Sequence, residues 1–153
     1  MEEQQMTTKK RLVQGSLLTV LLIGLLVPVC AEQSENTWDK VVFHVDDTRT
    51  ARWALMLARS YLDDVPTAKI VFVAYGPGVD FLLEDAMDRH DNPYDYVIQG
   101  LTERGVDFRV CAATLAAREI NKENVLKEVK IVPSGISEIA RLQVKEGFAY
   151  LKP

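Results

Sequence analysis

The stretch FRVCAATL, residues 108–115, places one cysteine, Cys111, between an alternating segment and an alanine-rich one. Val106, Phe108 and Val110 alternate as a strand does, and Ala112 to Glu119 is helix-prone. Cys111 thus sits where a strand gives way to a helix. The first N–H groups of a helix lack intrahelical partners and carry partial positive charge. A thiol placed there ionises more readily and is a stronger nucleophile at neutral pH. Arg109, two residues back, shares a strand face with Cys111 and would add positive charge. Free cysteine is also among the most buried residue types, so Cys111 serves equally well as a small packing side chain. The residues alone leave both readings open.

Other chemistry-bearing residues are weaker signals. Gly76-Pro77-Gly78 follows an apolar run. It would let a ligand approach backbone N–H groups, but it lacks the spacing of a dinucleotide fingerprint or a P-loop, and a tight turn explains it more simply. His44 lies within a strand and His90 in a polar loop, with no HxH, HxxxH or CxxC spacing for a metal. Asp46 and Asp47 are adjacent and would point apart, so Asp47 or Thr48 is expected to cap a helix before the pair does acid–base work. Trp53 and Tyr61 suit a core or an interface.

The elements that must position these groups follow from periodicity. Val41–Val45, Ile70–Tyr75, Val106–Cys111, Val129–Val132 and Phe148–Leu151 are expected as strands. Arg49–Leu62 is expected as a helix on the spacing of Trp53, Met56, Leu57 and Tyr61. Further helices are expected at Val79–Met87, Tyr94–Arg104 and Ala112–Glu119, with a helical turn or two at Asn121–Leu126. The last helix ends at Glu146, with Ile136, Ile139, Ala140 and Val144 on one face. Strands alternating with helices imply an α/β fold with a mainly parallel sheet covered on both faces. In such sheets ligands bind beyond the carboxyl ends of the strands, which gathers Asp46-Asp47, Gly76–Gly78 and Cys111 at one edge.

The chain has 153 residues, 48% hydrophobic and 26% charged, with a formal charge of −4. One domain is expected, with no global basic surface for nucleic acid. The first 31 residues differ from the rest. Lys9, Lys10 and Arg11 precede an apolar run, Leu17 to Val27, which ends at Pro28 and a small residue, Ala31. That is the layout of an export signal cleaved after Ala31. Alternatives are lipidation at Cys30, a retained anchor over Leu12–Ala31, and a start at Met6. The signal would occupy 1–31, a flexible lead-in 32–39 and the folded domain 40–153. The exported chain would be mildly acidic and carry one unpaired cysteine, Cys111.

VVFHVDD, VAYGPGVDFL, FRVCAATL and above all VPSGISEIARLQVKEGFAYLKP resemble the DsrE/DsrF-like sulfur-relay superfamily, in its small single-domain branch, from about Lys40 to Pro153. The resemblance implies a single-domain three-layer α/β sandwich with a five-stranded, mainly parallel sheet, assembled as a trimer or hexamer. It also implies a persulfide carried on a cysteine after a central strand, a role that Cys111 fits; no metal and no cofactor are expected. Partners would be sulfur donors and acceptors. Ala113 stands where that branch often has asparagine. The expectation is therefore an exported sulfur-handling protein using Cys111 as its reactive group. Gly76, Pro77, Gly78, Arg109 and Ala112 would line the ligand site, supported by His44, Asp46 and Thr114. The competing expectation is a non-catalytic ligand-binding or assembly module of the same fold.

Overall fold

The computed structural model describes residues 39–153. The expected export signal, Cys30 and all of the lead-in except Asp39 lie outside the described residues. Five strands form one sheet: β1 (Lys40–Val45), β2 (Lys69–Ala74), β3 (Asp107–Cys111), β4 (Val129–Val132) and β5 (Ala149–Leu151). Their order is β4-β3-β2-β1-β5, and every neighbouring pair is parallel. The helices are α1 (Thr48–Asp64), α2 (Asp95–Glu103), α3 (Ala112–Ala117) and α4 (Gly135–Glu146), with short 3-10 turns at Gly76–Leu82 and Lys122–Asn124.

Strands β1 to β4 step across the sheet in one direction, and the chain then returns to place β5 beside β1. Because parallel crossovers are right-handed, reversing the direction moves the connecting helix to the other face. The two cores obey this rule. Val41, Phe43, Val45, Phe72, Phe108 and Val110 face the layer built from α1, α2, α3 and the first 3-10 turn, whereas Val42, Val71 and Val73 face Ile139 and Leu142 of α4. At the centre Phe43, Phe72 and Phe108 stack at 5.0 and 4.9 Å between ring centroids. Each such contact adds about 1 kcal/mol beyond its buried area. The run Ile70–Ala74 is buried throughout, as a central strand of a doubly covered sheet requires.

Two helices present different faces from those the spacing suggested. The stripe that α1 buries is Ala51, Ala54, Leu55, Ala58 and Leu62, while Trp53 and Met56 are 53% and 51% exposed. Small alanines let the helix lie close against the sheet, so the larger apolar residues face outward. In α4 the buried set is Gly135, Ile139 and Leu142, leaving Ile136 and Val144 exposed. The expected helix over Val79–Met87 is instead the 3-10 turn followed by a tight turn at Glu84 and Asp85 between isolated bridges at Leu83 and Met87. Glu84 N–H donates to Asn124 O and Leu126 N–H donates to Leu82 O, tying this strip to residues 124–126 and shortening the turns expected there. Asp47 caps α1, its carboxylate accepting from Arg49 N–H at 2.9 Å.

Gly78 is set by close approach. A Cβ there would lie 2.1 Å from Val45 O and 2.8 Å from the Asp46 carbonyl carbon. The 3-10 turn packs its backbone directly on the end of β1, and only glycine fits. Gly78→Ala is expected to cost about 3 kcal/mol through forced backbone displacement. Urea unfolding should show a lowered midpoint with an unchanged slope, and an unshifted midpoint would refute the contact.

Candidate functional site

The reversal of chain direction leaves an opening between neighbouring strands. After β3 the chain turns to one face through α3, and after β4 it turns to the other through α4. The crevice beyond the carboxyl ends of β3 and β4 is where ligands bind in open parallel sheets. Cys111 ends β3 opposite Val132 of β4, so its side chain lies at the mouth of this crevice, on the α4 side.

Two helix starts meet at the sulfur. Cys111 precedes α3 with extended backbone dihedrals, which leaves the N–H groups of Ala113 and Thr114 near Sγ, that of Ala113 donating to Pro133 O at 3.4 Å. Gly135, the first residue of α4, contributes its N–H from the other side. The Thr114 hydroxyl lies beside Sγ as well and favours the thiolate, and Thr114 Oγ1 accepts from Gly76 N–H at 3.0 Å. Burial pushes the Cys111 thiol up, because a thiolate is costly away from water. The hydroxyl and the three N–H groups outweigh that penalty and hold it below its ordinary value. The residue is 5% exposed and lies outside both apolar core clusters, beside these polar groups.

Gly135 is also a point of close packing. A Cβ there would lie 3.0 Å from Tyr75 Cδ1 and 3.3 Å from Cys111 Cβ. Tyr75 therefore shares the α4 start with Cys111. Its ring stacks on His44 at 4.5 Å. His44 is 4% exposed, and its Nδ1 is hydrogen-bonded to Tyr150 OH at 2.6 Å, while Nε2 has no partner among the described residues. Burial lowers the His44 pKa, outweighing the opposing pull of Asp46. Neutral His44 is thus a core histidine linked to the crevice through Tyr75.

The remaining expected residues divide into two groups. Gly76, with φ of +57°, lies against the crevice through its bond to Thr114. Pro77 O accepts from Thr48 Oγ1 at 2.7 Å, and Gly78 is buried under β1, so these two shape the loop. Arg109 does share the Cys111 face, but its guanidinium is engaged by Asp107 at 2.7 Å and by Glu138. The charge around the sulfur comes from amide dipoles, and Arg109 instead ties α4 to β3. The Ala112 N–H is not among the groups that lower the Cys111 thiol, whereas those of the next two residues are. Asp46 pairs with Lys152 at 2.5 Å, and the two act in opposite senses on the His44 pKa.

Sequence reasoning missed Gly135, Tyr75, Tyr150 and Lys152. The signal for Gly135 was present in Pro133-Ser134-Gly135, where Ser134 caps α4 and glycine follows at the first helical position. Among the described residues no group of three or more His, Cys, Asp or Glu side chains gathers as metal ligands. No described helix is long and apolar enough to cross a membrane.

Residues 39–153 match the DsrE/DsrF-like family. A protein of unknown function from Methanobacterium thermoautotrophicum, MTH1491, is 33% identical over 74% of this chain and 97% of its own, with a TM-score of 0.66. The ychN protein from E. coli shares the fold at 15% identity, covering 74% of this chain and 98% of its own, with a TM-score of 0.64. No curated protein matches the chain. With the family match spanning every described residue, the chain belongs to the DsrE/DsrF-like family.

Proposed function

We propose that Cys111 accepts and passes on sulfane sulfur as a persulfide. The observation that carries this reading is the set of polar groups near Sγ that favour its ionised form: the Thr114 hydroxyl and the N–H groups of Ala113, Thr114 and Gly135. The family's broad link to sulfur relay supports it. In the transfer step the Cys111 thiolate attacks the outer sulfur of a donor persulfide, R–S–SH. A new S–S bond forms at Sγ, the donor's S–S bond breaks, and the electron pair leaves with the donor thiolate. The products are Cys111–S–SH and R–S⁻, with no net oxidation. An ionised persulfide is also an anion, so the same donors stabilise the loaded form.

An acceptor thiolate reverses the step, so turnover depends on a donor and an acceptor partner. The charged, apolar, then small layout from Lys9 to Ala31 supports placing this chemistry outside the cytoplasm. Assembly as a homo-oligomer, expected from the resemblance, belongs to the same reading. The near closure of Cys111, at 5% exposure, favours a second reading, in which the residue is packing and the domain serves as a binding or assembly module.

Mass spectrometry after polysulfide treatment separates the two. The carrier reading requires one added sulfur on Cys111, lost on reduction and absent from Cys111→Ser. An inert Cys111 in folded protein selects the second reading. Thr114→Val removes the hydroxyl donor while keeping the side-chain shape. Sulfur uptake at neutral pH should slow by about tenfold, the usual size for a lost bond to a charged group. Its pH profile should move to higher pH, because the thiolate has lost a stabilising partner. An unchanged profile would remove Thr114 from the site.

A further inference from the structure

On the layer opposite α4, a groove runs between the outer ridge of α1 and residues 87–97, with a volume of about 720 Å³. That size is ordinary for a small-molecule site. Its floor includes Trp53, Met56, Met87 and Val97, of which the first three are 53%, 51% and 52% exposed. Its rim is cationic. Arg49, Arg52 and Arg59 recur along one ridge of α1, with Arg89 across the groove. From Thr48 to Leu62, α1 carries no acidic residue, in a chain whose formal charge is −4.

The far wall is built rather than loose. Asp88 accepts from His90 N–H at 2.8 Å and from Asn92 N–H at 3.0 Å. Led by the bond from Asn92, these interactions hold its carboxyl down at about 2. Arg52 pairs with Asp88 at 2.9 Å, donates to Asn92 O, and lies 4.4 Å from the Tyr94 ring centroid. Arg52 is therefore spent on the wall, and Arg49 is spent on Asp47. Arg59 and Arg89 line the groove and make no ion pair among the described residues. Among the described residues Arg89 Nε donates only to His90 Nε2, at 3.0 Å.

We propose that this groove binds a free single-chain carboxylic acid. The apolar body lies along Trp53, Met56 and Met87, and the carboxylate is held by Arg59 and Arg89. The ridge from Arg49 to Arg59 spans about 15 Å at the helical rise, room for one extended alkyl chain. Such a ligand covers exposed apolar surface and supplies the negative charge that the two arginines lack. A neutral lipid would leave them unmatched. The site is separate from Cys111, and its occupancy is read without sulfur chemistry.

The test uses the full chain carrying Trp38→Phe, so that Trp53 is the only tryptophan. Dodecanoate, titrated below its micellar concentration, should change Trp53 emission saturably. Arg59→Glu combined with Arg89→Glu, both at exposed positions, should weaken that binding at least about tenfold with unchanged circular dichroism. Dodecanol should bind more weakly and ignore the double substitution. Absence of a saturable response overturns the proposal, and so does equal affinity in the double variant. Self-association that shields Trp53 and is abolished by Trp53→Glu also overturns it, by assigning the groove to a second copy of the chain.

Discussion

The candidate chemistry depends on one balance at Cys111 Sγ, between the cost of burying a thiolate and the pull of the hydrogen-bond donors around it. The N–H groups of Ala113 and Thr114 at the start of α3, that of Gly135 at the start of α4 and the Thr114 hydroxyl all favour the thiolate. Among the described residues no cation is one of the groups that shift the Cys111 thiol. Arg109, the nearest candidate on the same strand, is neutralised by Asp107 and Glu138. Fixed amide dipoles do not reorganise when charge develops, so they suit a group that alternates between thiolate and loaded anion.

That cluster is a consequence of topology. A parallel sheet that steps from β1 to β4 and then returns to β5 must send its last helix to the opposite face. The turn after β3 and the turn after β4 therefore diverge, and the Ala113 N–H of the first donates to Pro133 O of the second at 3.4 Å. Gly135 allows the two turns to come together, since a Cβ would crowd both Tyr75 and Cys111. Gly76 joins them from the end of β2, through Thr114. Three consecutive strand ends thus contribute to one small volume.

The sheet was legible in the sequence because its strands are short, β-branched and bounded by turn residues. Ile70–Ala74 could hardly be anything but a doubly covered strand. Cys111 was legible for a related reason: the change from alternation to alanine-rich sequence marks the strand-to-helix junction. Helix faces were harder to read. In α1 the outward Trp53 and Met56 have the same spacing as a buried stripe, and only the close packing of Ala51, Ala54 and Ala58 decides which stripe is inside. Gly135 and Tyr75 escaped notice because their contact with Cys111 joins positions far apart in the chain. The role expected of Arg109 failed on ion pairs that depend on where α4 docks.

The central claim is that the donors outweigh burial at Cys111. Its most direct test is the pH dependence of thiolate ultraviolet absorbance in folded protein carrying Cys30→Ser, which leaves Cys111 as the only thiol. The balance of donors over burial predicts a midpoint below that of an ordinary free thiol. A midpoint at or above the ordinary value would mean that desolvation prevails, and Cys111 would then be packing.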